Sequence, residues 1–138
     1  MKKTLSEVHC LLLVVLIILV SDQGLVKCSL QQSERCSVKD ITINQSSSGT
    51  EPSGIPIFLV EISNECLYPC TIMNVHLHCG EFSSDNLIKP EIFKRLTYDN
   101  CLVNNGAALT PGQVLSFKYS TTRMYPLSVL HLDVSCPT

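Results

Sequence analysis

Tryptophan is absent from this chain, which has only four tyrosines and four phenylalanines among its 138 residues. A protein that binds sugars on a flat aromatic platform needs such side chains exposed, and most of these occupy core-like strand positions. Basic residues are also few, ten against twelve acidic ones, and they form no polybasic run. The composition therefore argues against a lectin-like function, nucleic-acid binding and electrostatic attachment to a membrane surface.

The sequence also lacks the motifs of common enzymes. It has no Gly-x-Ser-x-Gly elbow, no glycine-rich phosphate loop and no Cys-x-x-Cys redox pair. His131 and Asp133 share a predicted strand face, but no serine is identified as their nucleophile. The acidic residues show no spacing typical of a glycosidase carboxylate pair: Glu61, Glu81, Glu91, Asp99 and Asp133. We therefore expect no enzymatic activity and no cofactor.

An apolar run does stand near the start of the chain. Lys2 and Lys3 precede ten unbroken apolar residues at positions 11–20. Ten helical residues span roughly 15 Å, about half of a bilayer core, which favours a signal peptide over a retained anchor. We predict that residues 1–28 are a signal peptide cleaved after Cys28, which leaves residues 29–138 as one secreted domain without a membrane anchor.

Six cysteines follow this leader: Cys36, Cys66, Cys70, Cys79, Cys101 and Cys136. An even set in a short secreted chain is typical of a disulfide framework, here of three bridges. Six cysteines allow fifteen connectivities, so sequence alone leaves most of the pairing open.

Strand patterns dominate the rest of the chain. Alternating apolar residues predict strands at 38–44, 57–63, 72–79, 114–119 and 127–136. In the third, Val75, Leu77 and Cys79 share one face; in the last, Leu130, Leu132 and Val134 do. Residues 46–54 are polar and predict a loop, and turns are expected at 104–106 and 111–112. The expected fold is all-β, an antiparallel β-sandwich of about six or seven strands.

The middle of the chain has no clean period of two. Residues 90–96 begin with Pro90 and predict one or two helical turns. They contain Lys94 and Arg95, the only adjacent basic pair after residue 28. This pair is a candidate convertase cleavage site or a docking contact for an acidic partner, and a solvated helix face is the alternative.

Strand directions favour one disulfide. If successive strands run antiparallel, four cysteines collect at one end of the sandwich: Cys36, Cys66, Cys70 and Cys136. Cys79 ends the third strand at the opposite end, where only Cys101 is left as a partner. We therefore predict a Cys79–Cys101 bridge, which would hold residues 80–100 in shape as a recognition loop.

His76 and His78 lie on one face of a predicted strand, where two imidazoles can reach one metal ion. No further ligand lies nearby in the sequence, and Cys79 points to the other face. We therefore favour structural or surface histidines and predict no metal site.

Asn44-Gln45-Ser46 is an N-glycosylation sequon. It lies where the first strand is expected to enter a polar loop. Asn44 is therefore a candidate glycosylation site, with a solvated turn as the alternative.

Longer strings of the sequence resemble the tapetum determinant family of secreted, cysteine-rich plant proteins. The resemblance covers residues 36–136, with all six later cysteines in register. It is carried by Val60-Glu61-Ile62, His76-Leu77, Cys79-Gly80, Phe82-Ser83-Ser84, Phe93-Lys94-Arg95-Leu96, Cys101-Leu102-Val103-Asn104 and Leu115-Ser116-Phe117.

This resemblance implies an apoplastic signalling protein that binds the leucine-rich-repeat ectodomain of a receptor kinase, as family members do in specifying tapetal cells of the anther. The alternative function is a wall-polysaccharide-binding module without catalytic activity. A weaker similarity of residues 112–117 to sandwich modules that bind cellulose supports this alternative.

Overall fold

The computed structural model describes residues 5–20 and 35–137 of a chain that forms two units, residues 1–33 and 34–138. In the first unit, the helix α1 (Leu5–Val20) contains the apolar run. No helix in the described residues is long and apolar enough to cross a membrane. The predicted cleavage point at Cys28 lies outside the described residues.

The second unit is built of β-strands. Residues 35–137 form seven: β1 (Ile41–Thr50), β2 (Pro56–Asn64), β3 (Thr71–His78), β4 (Phe93–Thr97), β5 (Asn100–Val103), β6 (Val114–Ser120) and β7 (Ser128–Ser135). One sheet has the order β1-β2-β6 and the other β4-β5-β3-β7, and every pairing is antiparallel. The predicted all-β architecture is confirmed.

The core consists of the alternating apolar positions of the two sheets. Val60 and Ile62 of β2 are fully buried, as are Val75 and Leu77 of β3. Tyr119 of β6 is also buried, and its hydroxyl donates to Oε1 of Gln45 over 2.8 Å. The shared face predicted for Val75, Leu77 and Cys79 is therefore the inward face of β3.

Two predicted stretches have a different structure. β1 continues to Thr50, through half of the expected loop at 46–54, because its backbone pairs with β2 up to Pro56. Residues 90–96 form only one turn, in which the N–H of Ile92 donates to Lys89 O over 2.9 Å. β4 then begins at Phe93 and pairs with β5. In both places cross-strand pairing overrides the local composition.

Simple alternation, which put Leu130, Leu132 and Val134 on one face of the last strand, also fails in β7. Val129 and Leu132 pack against the core, whereas Leu130 and Val134 are exposed. The register between β3 and β7 shifts on both sides of His76. Such bulges change which side chains point inward, so simple alternation fails here.

Two disulfides lie at one end of the sandwich, Cys36–Cys66 and Cys70–Cys136. The sulfur atoms of Cys36, Cys66 and Cys70 are within 4.8 Å of one another. All three are oxidised in bridges, so this group is not a set of thiolate metal ligands. Between the bridges, the turn from β2 to β3 presents Leu67, which is 98% exposed.

Candidate functional site

Residues 80–100, which we call the central segment, begin and end beside a third disulfide. Cys79 follows β3 and is bonded to Cys101 of β5, with the two Cα atoms 6.0 Å apart. This is the pair that the strand directions favoured. A bridge that closes a ring of this size is typically worth about 3 kcal/mol through the unfolded state.

Asp99 ties the end of the central segment to its beginning. Its Oδ1 accepts hydrogen bonds from the N–H groups of Cys79 (3.0 Å) and Gly80 (2.8 Å). Its Oδ2 lies 2.6 Å from Nδ1 of His78. The hydrogen bond from Gly80, followed by that from His78, lowers the pKa of Asp99 below its ordinary value. Asp99 has a φ of 56°, a left-handed conformation that aspartate tolerates in tight turns.

The first half of the central segment is fastened to the other sheet at Ser120, the last residue of β6. The N–H of Asp85 donates to Ser120 O (2.8 Å), and the N–H of Ser120 donates to Oγ of Ser84 (3.0 Å). The side chain of Asn86 donates to Oγ of Ser120 (3.1 Å) and also to Glu51. These contacts tie the loop before β4 to the three-stranded sheet, which makes this stretch an ordered part of the sandwich.

Phe82 anchors the same stretch through its ring. Its centroid lies 4.9 Å from that of Phe93, 5.1 Å from Tyr119 and 5.0 Å from Tyr125. Phe93 in turn stacks on Phe117 at 4.5 Å. Offset and edge-to-face aromatic pairs each add about 0.5–1.5 kcal/mol beyond their buried area. The central segment is thus held by packing as well as by hydrogen bonds.

A groove of about 250 Å³ opens over this cluster. Phe82 and Phe93 contribute apolar wall, while Leu87, Lys94 and Arg95 line it from more exposed positions. Leu87 is 95% exposed, and Tyr98, at the tip of the β4–β5 turn, is 68% exposed. We call Leu87, Lys94 and Arg95, with the groove that they line, the groove surface.

Lys94 and Arg95 lie in β4, an edge strand paired with β5, rather than on a helix. Nζ of Lys94 donates to Oδ1 of Asn105 (2.7 Å), and Arg95 donates to Phe82 O (3.3 Å). Within residues 35–137, the ion pairs closer than 4.0 Å involve only histidines, so neither cation has a carboxylate partner. Cleavage here would require β4 to leave β5, so the geometry favours a docking contact.

The remaining candidates lie elsewhere. Asn44 is exposed in the middle of β1, paired with Glu61, and is not at the entrance to a loop. His78 is hydrogen-bonded to Asp99. Nδ1 of His76 lies 2.8 Å from Oδ1 of Asn100, and His76 is the register partner of His131 in the adjacent strand β7. In residues 35–137 no hydroxyl is hydrogen-bonded to a histidine, so no Ser–His pair is assembled.

Sequence reasoning missed two residues that organise the site. Asp99 acts through backbone N–H groups about twenty positions earlier, and Ser120 through a segment 34–36 positions earlier. Neither contact has a periodic signal. In the turn at Tyr98 and Asp99, only the aspartate is a residue type that favours a tight turn, which is a weak signal.

Comparison with known proteins finds one family. The family description "Tapetum determinant 1, C-terminal" matches residues 37–137. "TPD1 protein homolog 1" of Arabidopsis thaliana is 50% identical over 101 residues, which are 73% of this chain and 55% of that protein. "TPD1 protein homolog 1B" of Oryza sativa subsp. japonica is 41% identical over 105 residues, 76% of this chain and 60% of that protein. The chain thus spans little more than half the length of these relatives, and no solved structure matches it significantly.

Proposed function

Since the chain belongs to the tapetum determinant 1 family, we propose that it is a secreted signalling protein that binds the leucine-rich-repeat ectodomain of a plant receptor kinase. The proposal includes cleavage of a signal peptide and release to the apoplast. It is supported by the short apolar helix at 5–20 and by the three disulfides of residues 35–137, since disulfides persist in oxidising compartments.

The groove surface is the part of the structure that best supports binding to a receptor. It combines an apolar groove, a nearly fully exposed Leu87 and two cations that have no carboxylate partner within residues 35–137. Arginine and aromatic side chains are enriched where proteins contact proteins, burial of an exposed leucine adds apolar area, and charge at a rim speeds association with an oppositely charged partner. We therefore assign the receptor contact to this surface and expect acidic residues on the receptor side.

A leucine-rich-repeat ectodomain fits such a ligand physically. Stacked repeats form an extended concave surface, which can receive a small rigid domain. The central segment meets the requirement of rigidity, because the Cys79–Cys101 bridge, Asp99 and the contacts at Ser120 all restrain it. Preorganisation of this kind lowers the entropy lost on binding.

The test is a binding screen. The protein is expressed from its full sequence through a plant secretory host, recovered from the medium and measured against a panel of leucine-rich-repeat receptor-kinase ectodomains by biolayer interferometry. We expect the oxidised protein to bind at least one ectodomain and the reduced protein to lose that binding. Binding to none of them, together with retention on cellulose, would favour the wall-polysaccharide alternative instead.

A further inference from the structure

Three histidines occur in residues 35–137, and two of them face each other across adjacent strands. His76 of β3 is the register partner of His131 in β7, with ring centroids 6.2 Å apart. The neighbours of His76 in β3, Val75 and Leu77, are buried in the core. The imidazole of His76 therefore lies on the outer face of the four-stranded sheet, away from the sandwich interior.

Asn100 determines which ring nitrogen of His76 donates a hydrogen bond. Nδ1 of His76 is 2.8 Å from Oδ1 of Asn100, an oxygen that can only accept. This contact requires the N–H at Nδ1, so in the neutral imidazole Nε2 is the nitrogen that offers a lone pair. A histidine held in this way, with one nitrogen donating and the other free, is the usual arrangement of a metal ligand and its supporting residue.

Asp133 supplies a carboxylate beside the histidine pair. Its Oδ1 is 3.2 Å from Nε2 of His131, and its Oδ2 accepts a 2.6 Å hydrogen bond from the amide of Asn74. The hydrogen bond from Asn74, then the charges of His131 and His76, lower the pKa of Asp133 below its ordinary value. Asn74 stands at the bulge in β3 with a φ of 49°.

We propose that His76, His131 and Asp133 bind one divalent transition-metal ion, of the zinc and copper class. Imidazole nitrogens select these ions over magnesium and calcium, and two histidines with a carboxylate leave coordination positions open. Asn100 orients His76 and Asn74 orients Asp133, each through a hydrogen bond.

We expect the site to close by rotation of exposed side chains. The three donor atoms do not all lie within 4.8 Å of one another, so binding requires the side chains of His131 and Asp133, which are 62% and 48% exposed, to turn toward His76. His78 is left out of the ligand set because its register partner in β7 is Ser128, which offers no imidazole, whereas His76 lies opposite His131. The sequence suggested His76 and His78 as a pair, and the fold pairs His76 with His131 instead.

The experiment uses zinc chloride and the chelator-treated protein made from the full sequence. Isothermal titration measures affinity, and long-range proton–nitrogen NMR reports each imidazole nitrogen. We expect one zinc ion to bind and to shift the ring nitrogens of His76 and His131 while those of His78 stay unchanged. No saturable binding, or shifts at His78 equal to those at His76, would overturn the proposal.

Variants provide an independent measurement. Asn100→Ala removes the support of His76 and should weaken zinc binding about 10- to 100-fold. His76→Gln and His131→Gln should weaken it further. His78→Gln is the matched control and should bind as the wild type does, with near-UV circular dichroism showing that each variant is folded. Unchanged affinity in both His76→Gln and His131→Gln would place the ion elsewhere and refute the assignment.

Discussion

Asp99 and Gly80 are joined by two hydrogen bonds, and each residue donates one of them. The N–H of Gly80 donates to Oδ1 of Asp99 over 2.8 Å, and the N–H of Asp99 donates to the carbonyl oxygen of Gly80 over 2.9 Å. The pair lies directly beyond the Cys79–Cys101 bridge. It fixes the β4–β5 turn against the end of β3, and so sets the position of the strand that carries Lys94 and Arg95.

Replacing Asp99 by asparagine should make the domain less sensitive to acid. The pKa of Asp99 is lowered below 3.8 by the Gly80 hydrogen bond and by His78. Because the folded pKa is the lower one, the carboxylate stabilises the fold above pH of about 4, and this contribution is lost as the pH falls through the folded pKa. The urea midpoint should therefore fall more between pH of about 5 and about 3 in the wild type than in Asp99→Asn.

Asp85→Asn is the control for this measurement. Asp85 is an exposed acid of the same segment whose carboxylate accepts no hydrogen bond. Its variant should follow the wild type over the same pH range. If Asp99→Asn follows the wild type as well, the carboxylate of Asp99 does not stabilise the central segment.

Removing the third bridge should separate folding from recognition. In the double variant Cys79→Ser with Cys101→Ser, we expect a loss of about 3 kcal/mol of stability from the unfolded state. The contacts at Ser120 and Phe82 remain and should keep the sandwich folded. Receptor binding should then fall more steeply than the amount of protein secreted, as measured by interferometry and by immunoblot of the medium. Equal losses would leave the bridge with a folding role only.

Reversing the charge of one lysine on each sheet should show which sheet contacts the receptor. Lys94 lines the groove, whereas Lys118 lies exposed in β6 on the three-stranded sheet. A surface ion pair contributes about 0.2–1 kcal/mol, so Lys94→Glu should weaken receptor binding about two- to fivefold at low salt. The effect should shrink as salt is added. Lys118→Glu is the matched control, and an equal loss with it would mean that only net charge matters.

Two glycines with the same left-handed backbone provide a test of the hydrogen bond between Asn74 and Asp133. Gly106 and Gly112 have φ angles of 79° and 78°, so alanine is strained at both and costs about 1 kcal/mol. Only at Gly106 would the new Cβ lie 2.9 Å from Oδ1 of Asn74; at Gly112 nothing lies within 4 Å.

In Gly106→Ala, Asn74 should move and weaken its hydrogen bond to Asp133. The pKa of Asp133 should then rise toward its ordinary value of 3.8, as followed by carboxyl NMR. Gly112→Ala should leave it unchanged. A pKa of Asp133 that is the same in both variants would show that Asn74 does not control this carboxylate.

The sequence predicted the parts of this fold that repeat along one strand. Val75 and Leu77 are buried because alternation decides which side chains face the core. β4 and β5 were missed because each is short and is defined by its partner. β7 departed from the pattern because a bulge shifts its register.

The candidate site was predicted only in outline. The Cys79–Cys101 pair followed from strand direction, and Lys94 and Arg95 were visible as adjacent cations. The anchoring of the central segment at Ser120 and the pairing of His76 with His131 join positions 34–55 residues apart. Such contacts depend on sheet topology, for which a single sequence has no local signal.

Two exposed leucines distinguish receptor binding through the groove surface from binding at the other end of the sandwich. Leu87 is 95% exposed at the groove, and Leu67 is 98% exposed at the opposite end of the sandwich, so serine at either position should leave the fold intact. Interferometry against the ectodomain found in the screen should show that Leu87→Ser loses about tenfold or more in affinity, because burial of a leucine side chain is worth about 1.5–3 kcal/mol, while Leu67→Ser binds like the wild type. Wild-type affinity in Leu87→Ser with a loss in Leu67→Ser would contradict the account.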